Sequence, residues 1–126
     1  MGPTEKKDLD LEDRLIDFAV KIINLTESLP KSKTGNHIAG QLVRCGTSPA
    51  PNYGEAKDAE SLADFIHKMK ICLKELRETR VWLIMIKKAK LIKDSKELDY
   101  LIDESNQLIS IFVTSIKTAK LNKRKA

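Results

Sequence analysis

The chain of 126 residues has the size of one ordinary domain. Its 5 glycines, 4 prolines and 5% aromatic residues are too few for a typical β-sandwich or barrel, and 41% hydrophobic residues exclude a disordered tail. The net charge of +5 permits a polyanionic partner. No apolar run approaches the ~18 residues of a membrane helix, and the polar N-terminus is unlike a signal peptide. We therefore expect a mostly helical cytoplasmic domain in which Cys45 and Cys72 are free thiols.

Apolar residues recur at helical spacing in three long segments, residues 11–29, 62–86 and 98–119. Seam positions in each segment are three or four residues apart, which places them on one face of a helix. A further segment near residues 38–56 shows the same pattern around a proline-containing stretch. Four amphipathic helices with short connections predict an all-α fold, an antiparallel up-and-down four-helix bundle. The predicted organisation is a flexible N-terminal segment (residues 1–8), the four-helix bundle (9–121) and a basic C-terminal tail (122–126).

Serines and prolines indicate where the helices begin and break. Ser32 or Thr34 is suited to cap the second helix and Ser95 the fourth, because their hydroxyl oxygens accept bonds from free N–H groups of a first turn. Pro49 and Pro51 remove backbone donors and disfavour an uninterrupted second helix. Helical spacing resumes after them, so this segment forms either one bent helix or two short helices.

Two helices carry more apolar surface than one bundle seam requires. Residues 81–86 are all apolar and therefore cover every face of the third helix, and the first helix adds Ile16, Val20 and Ile23 beside its seam. A helix that is apolar all round must be buried on more than one side. In a chain of this size another subunit is the simplest cover, which predicts a homo-oligomer. The predicted interface residues are Val81, Trp82, Ile84 and Met85.

No motif for catalysis or for a cofactor is present in the sequence. His37 and His67 do not stand in a zinc-binding pattern, and the glycines follow neither a P-loop nor a dinucleotide-binding spacing. Cys45 and Cys72 lie on apolar seams, whereas a nucleophilic thiol needs exposure and a neighbouring base. We therefore expect no enzyme activity, no metal site and no cofactor.

A first group of polar residues shares one face of the second helix if that helix is continuous. Such a line forms either a buried hydrogen-bonded network with acids of the third helix or a binding site, and both interpretations stay open. We call this group the polar motif. It comprises Gln41, Arg44, Ser48, Asn52 and Glu55, with Glu75 and Glu78 of the third helix.

A second group of polar residues is basic and lies on the third helix. Residues 61–90 hold 8 basic and 3 acidic residues. Four of the basic residues share one direction, far from the apolar seam, at ~100° per residue; we call Lys70, Lys74, Arg77 and Lys88 the basic stripe. The stripe is either a solvated helix face or a phosphate-binding surface. The candidate nucleic-acid-binding residues are the basic stripe and Lys123, Arg124 and Lys125 of the tail.

Two blocks of the sequence together resemble a known family. The first has Gln41-Leu42-Val43-Arg44, then small residues with Ser48, then Asn52-Tyr53-Gly54-Glu55-Ala56. The second is Lys74-Glu75-Leu76-Arg77-Glu78. In this order they are similar to signatures of the "four helix bundle protein" family, also called the rRNA intervening-sequence protein family. Its members are encoded in insertions within bacterial large-subunit rRNA genes.

The resemblance implies that the second helix continues through its prolines and is therefore bent. It also implies a ring-shaped homopentamer, as in related accessory proteins of diversity-generating retroelements, which are basic, bind nucleic acid and associate with a reverse transcriptase. The positions shared with the family pattern are Arg44, Asn52, Glu55, Glu75 and Glu78, and the resemblance implies no settled role for them.

The leading functional hypothesis is a non-catalytic, homo-oligomeric accessory protein that binds RNA or DNA electrostatically through the basic third helix and the tail. The alternative is a scaffold that binds another protein, such as a reverse transcriptase, and has no nucleic-acid role. A catalytic bundle would require a metal or cofactor. Salt dependence distinguishes the first two hypotheses, because phosphate binding weakens steeply with salt whereas hydrophobic docking does not.

Overall fold

The computed structural model describes residues 3–125, with side chains from residue 11 onward. Within these residues every regular element is a helix, so the predicted all-α fold is confirmed. Residues 1 and 2 and the side chains of residues 3–10, on which the predicted N-terminal segment falls, lie outside the described set, as does residue 126 of the predicted tail. The helices are α1 (Pro3–Thr26), α2 (Lys33–Thr47), α3 (Pro49–Lys57), α4 (Leu62–Ala89) and α5 (Lys96–Lys125).

Together α2 and α3 form one bent helix. Ser48, between them, keeps helical backbone angles of φ −71° and ψ −38°, and the helix bends by only 18° near Pro49. Pro49 and Pro51 cannot donate backbone hydrogen bonds, so the ladder is interrupted while the direction of the chain continues. The bent helix implied by the family resemblance is therefore confirmed, and two independent short helices are not what forms.

The four helices of the bundle pack so that successive helices are neighbours. α1 packs on α2, α3 and α5, and α4 packs on the same three elements. α1 and α4 therefore occupy opposite corners of the bundle. Short connections reverse the chain between successive helices, which gives the predicted up-and-down topology. The outward faces of α1 and α4 consequently point away from each other.

The apolar seams meet in one core. Two buried hydroxyls on these seams bond to carbonyls of their own helices: Thr79 Oγ1 donates to Glu75 O at 2.7 Å and Ser105 Oγ to Ile102 O at 2.7 Å. No helix within residues 3–125 is both long and apolar enough to cross a membrane. The largest fully buried side chains are Leu15, Phe18, Ile22, Leu42, Met69, Leu76, Leu83, Ile86, Leu98, Leu101, Leu108 and Phe112.

Serine caps fix the starts of three helices. Ser32 Oγ accepts from Gly35 N at 3.0 Å and Ser95 Oγ from Leu98 N at 3.1 Å, as the sequence predicts. Ser61 Oγ accepts from Asp64 N at 3.1 Å and sets the start of α4. Each cap satisfies a backbone donor that has no partner within its helix.

Close packing and ion pairs hold α1 against its neighbours. A Cβ atom at Gly46 of α2 would lie 2.7 Å from Cγ2 of Ile22, so glycine permits this approach of the two helices. Arg14 donates from Nε and Nη2 to the two carboxylate oxygens of Glu104, at 3.0 and 2.7 Å. This bidentate pair joins α1 to α5 at a nearly buried carboxylate.

Candidate nucleic-acid interface

The basic stripe lies on the outward face of α4. Lys70, Lys74, Arg77 and Lys88 are all exposed, and they are separated by 4, 3 and 11 residues. Each separation is close to a whole number of helical turns, so the four side chains share one direction. The opposite face of α4 carries the buried residues of the core. The structure therefore brings the four predicted cations together on one surface about 27 Å long.

The stripe is not neutralised by the acids beside it in sequence. Glu75 and Glu78 both turn toward α2, where Arg44 pairs with them. Among the side chains of residues 11–125, no acidic group forms an ion pair with a stripe residue. The stripe accordingly presents uncompensated positive charge to solvent.

Other cations of α4 are engaged at its two sides. Lys68 Nζ bonds to Glu55 Oε1 of α3 at 2.7 Å, and Lys87 Nζ bonds to Asp99 Oδ1 of α5. The hydrogen bond to the Asp99 carboxylate raises the pKa of Lys87, because it favours the charged ammonium. These two pairs leave fewer unpaired cations on α4 than the sequence count of basic residues suggests.

The predicted tail cations form the last turn of α5 and do not lie in a separate extended tail. Lys123, Arg124 and Lys125 are exposed there. Positive side chains near a helix C-terminus interact favourably with the helix dipole, so these three cations also stabilise the end of α5. Lys120, Lys123 and Arg124 also line a shallow surface depression. The helical end therefore presents a second basic surface.

Arg44 is the centre of the polar motif. Its Nη1 donates to Glu75 Oε2 at 3.2 Å, and its Nη2 donates to Glu78 Oε2 and to Gln41 Oε1, the latter at 3.2 Å. The Arg44 side chain remains 51% exposed, whereas that of Glu75 is 12% exposed. The network joins α2 to α4 at the bundle surface and is less buried than a core network.

Aromatic rings extend this network along α4. Trp82 Nε1 donates to Glu78 Oε2 at 3.1 Å, and the His37 ring meets the Trp82 ring edge-on with centroids 6.1 Å apart. Trp82 is therefore half-buried against its own subunit, as is Ile84. Their predicted role in an oligomer interface stays a prediction.

The remaining motif residues lie at the bend and just beyond it. Asn52 Nδ2 donates to Ser48 O at 3.0 Å and to Ser48 Oγ at 2.9 Å. Cys72 Sγ lies 3.5 Å from Pro49 O, as a weak donor from α4. Side chains thus supply hydrogen bonds where two prolines interrupt the backbone ladder. Glu55, after the bend, is the partner of Lys68.

The basic stripe and the predicted oligomer interface overlap, which the sequence-based reasoning missed. Val81 and Met85 are 50% and 46% exposed. They lie on the outward face of α4, between Arg77 and Lys88. The sequence already indicates this placement, because Arg77, Val81, Met85 and Lys88 follow one another at separations of 4, 4 and 3 residues. One face therefore carries an apolar centre between basic ends.

The thiols of Cys45 and Cys72 are both buried away from water. Burial raises the pKa of Cys72 to about 12 and also raises that of Cys45. Protonated thiols are poor nucleophiles. Among residues 11–125, histidine, cysteine and acidic side chains do not come together in a group of three or more that would hold a metal ion.

Comparison with known proteins places this geometry in a family. The model of the 23S rRNA-intervening sequence protein matches residues 7–113. A crystal structure at 1.70 Å resolution from Bacteroides thetaiotaomicron, described as a protein with unknown function from the S23 ribosomal protein family, is 33% identical with a TM-score of 0.77. The match covers 84% of this chain and 97% of that chain. No curated protein matches. With most of its length matched by the family model, the chain belongs to the 23S rRNA-intervening sequence protein family.

Proposed function

We propose that this chain is a non-catalytic, self-associating accessory protein that binds the phosphate backbone of RNA or DNA. The surfaces that bind are the basic stripe and the basic end of α5. The observation that carries the proposal is the stripe itself: four exposed cations on one helix face, without an acidic partner among the described side chains. A family named for intervening sequences of 23S rRNA supplies a nucleic-acid context.

Binding of this kind is electrostatic and independent of base sequence. Lysine and arginine displace counterions condensed on the phosphates, so affinity depends steeply on salt. Stacking on single-stranded bases would require exposed aromatic rings. Phe65 and Trp82, which carry the phenyl and indole rings of α4, are half-buried and do not lie on the stripe. Phosphate contacts therefore provide the affinity.

Self-association is supported by the apolar centre of the same face. Val81 and Met85 are about half exposed, and the burial of such side chains against a partner removes apolar surface from water. The burial of the two thiols and the raised pKa of each support a non-catalytic role. The subunit number of five follows from the family resemblance alone.

The test reverses the charge of the whole stripe. The variant Lys70→Glu/Lys74→Glu/Arg77→Glu/Lys88→Glu replaces four cations that would bind phosphate with four acids that repel it. It should no longer bind a labelled structured RNA or a matched DNA duplex. In the wild type, the logarithm of the association constant should fall linearly with the logarithm of salt concentration. Four contacts account for about 3 to 4 units of that slope. Binding that survives the reversal would show the stripe assignment to be wrong.

A control variant separates the stripe from net charge. Reversal of four other exposed lysines, in Lys31→Glu/Lys33→Glu/Lys93→Glu/Lys96→Glu, gives the same net charge but changes the helix connections and the starts of α2 and α5. This control should keep most of the affinity and the wild-type salt slope. An equal loss in both variants would assign the affinity to net charge. Circular dichroism should show that both variants remain folded.

The end of α5 is tested separately. Lys123→Ala/Arg124→Ala/Lys125→Ala should lower the salt slope by at most about 3 units, because each removed cation deletes at most one phosphate contact. An unchanged slope would remove this surface from the proposal while leaving the stripe.

The alternative function is a scaffold that docks another protein. The exposed Val81 and Met85 favour it, since a hydrophobic contact needs no nucleic acid. In that case the wild type would bind neither probe at low salt, and the stripe would be a solvated helix face.

A further inference from the structure

Two apolar stripes remain uncovered on opposite sides of the bundle. On α1, Ile16, Val20 and Ile23 are 46%, 48% and 43% exposed, with separations of 4 and 3 residues that place them on one face. On α4, Val81 and Met85 are exposed to a similar degree. The core lies on the opposite side of both helices, so both stripes point outward.

The fold prevents one chain from covering its own stripes. α1 and α4 occupy opposite corners of the bundle, and within the part of the chain that the structure describes each packs on α2, α3 and α5 but not on the other. The two outward faces therefore point in opposite directions. Among the described residues, no other part of the chain covers either stripe.

The charges around the two stripes are opposite. Asp13, Asp17 and Glu27 are exposed beside the α1 stripe, and residues 1–30 hold 7 acidic and 4 basic residues. On α4, the exposed apolar residues Val81 and Met85 lie between Arg77 and Lys88, and both of these cations belong to the basic stripe. Each face repels a copy of itself and attracts a copy of the other.

The two faces also match in length. The charged positions at the ends of the α1 face, Asp13 and Glu27, are 14 residues apart, as are Lys74 and Lys88 on α4. The two α4 positions are about 21 Å apart along the helix. Glu27 lies in the turn one residue beyond the end of α1, where it pairs with Lys31. An apolar centre flanked by charge thus meets an apolar centre flanked by opposite charge over the same span.

We propose that the outward face of α1 in one copy of the chain docks on the outward face of α4 in a second copy. The proposal rests on the self-association in the proposed function and names the surface that meets α4. Because the two surfaces differ, the contact is head to tail, and each docked pair keeps one unused α1 face and one unused α4 face. Repetition of the contact closes a ring or extends a filament.

This contact has a consequence for nucleic-acid binding. The acids of α1 lie against Lys74, Arg77 and Lys88 after docking, so α1 and phosphates compete for these cations. Lys70 and the end of α5 lie outside the matched span and stay accessible. Assembly therefore limits, and does not create, the phosphate-binding surface of α4.

The experiment uses two variants of the full chain, each with one face disabled. Asp13→Lys/Asp17→Lys gives α1 the same charge as α4, and Val81→Asp/Met85→Asp places acids in the apolar centre of α4. Each variant alone should have the monomer mass by light scattering. An equimolar mixture should form a dimer, because the intact α4 of the first variant meets the intact α1 of the second. The disabled α1 face has lost its acids and the disabled α4 face has lost its apolar centre, so these two faces do not extend the dimer.

Two controls make the result specific. Glu60→Lys/Asp94→Lys changes net charge as much as the α1 variant but alters exposed residues outside both faces, and it should keep the wild-type mass. Thermal melting should show that all variants fold. A monomeric wild type, a mixture that stays monomeric, or either disabled variant with the wild-type mass overturns the proposal.

A binding measurement separates this proposal from the proposed function. Without α1 competition, Asp13→Lys/Asp17→Lys should bind labelled RNA more tightly than the equally charged control Glu60→Lys/Asp94→Lys. Equal affinities would overturn the competition. If no variant binds RNA but the mixture forms a dimer, the nucleic-acid function fails while the docking stands.

Discussion

Charged side chains are paired on one exposed side of α4 and unpaired on the other. On the side toward α2 and α3, Glu75 and Glu78 meet Arg44, and Lys68 meets Glu55. On the outward side, the basic stripe has no acidic partner among the described side chains. The comparison shows that the acids nearest the stripe in sequence serve a different face. Charge counts along a helix therefore predict a binding surface only when the direction of each side chain is known.

The energetic roles of the two sides differ as well. Paired charges between helices contribute modestly to stability when they are partly exposed. Like charges at separations of three or four residues, such as Lys70 with Lys74 and Lys74 with Arg77, destabilise a helix by about 0.2–0.5 kcal/mol per pair. The stripe thus opposes folding slightly, and a bound polyanion or an acidic α1 face would relieve that repulsion.

The largest expected contrast is between two residues of α4 that lie close in sequence. Leu83 is 0% exposed and Val81 is 50% exposed. Leu83→Ala should lower the free energy of unfolding by about 2–5 kcal/mol through a cavity in the core. Val81→Ala should change it by less than about 0.5 kcal/mol in a monomer. Denaturant titration at low protein concentration measures both, and equal effects would contradict the assignment of α4 faces.

A smaller contrast is expected between cations of the two sides. Arg44→Ala should cost about 1–2 kcal/mol, because it leaves the nearly buried Glu75 without its partner. The value expected for a fully buried pair, about 3–5 kcal/mol, does not apply, since half of the Arg44 side chain is exposed. Lys74→Ala should change stability by less than about 0.5 kcal/mol. RNA affinity should fall more in Lys74→Ala than in Arg44→Ala. An Arg44→Ala variant that keeps wild-type stability but no longer binds RNA would instead show that the polar motif is a binding site.

The sequence predicted what depends on local spacing. The apolar seams and the caps Ser32 and Ser95 follow from residues one or a few turns apart. The pairing of Arg44 with Glu75 and Glu78 joins residues 31 and 34 positions apart, and the sequence offered it as one of two interpretations, because the polar face of the second helix had to meet an adjacent helix. The pair of Arg14 with Glu104 was not predicted, because it joins helices 90 residues apart and depends on how α1 and α5 pack. The overlap of stripe and interface was missed for another reason. A run of consecutive apolar residues hides which of its members face outward.

A still smaller effect is expected at the bend. Asn52→Ala removes the bonds to Ser48 O and Oγ, which supply partners beside the interrupted backbone ladder. The free energy of unfolding should fall by about 1 kcal/mol. Asn106→Ala is a matched control, since Asn106 is an exposed asparagine within α5, and it should have little effect. Similar losses in both variants would mean that the Asn52 bonds do not support the bend.

The smallest expected effect is a dependence of stability on alkaline pH beneath the same bend. Burial raises the pKa of Cys72 to about 12, so its thiol stays neutral in the folded chain while the unfolded thiol ionises near pH 9. The unfolded state therefore releases the proton first, and stability falls as pH rises above about 9. Between pH 8 and pH 9.5 this group should lower the free energy of unfolding by about 0.8 kcal/mol. Cys72→Ala removes this contribution, so the difference between wild type and variant should shrink over that range; a constant difference would show that the Cys72 site is open to water.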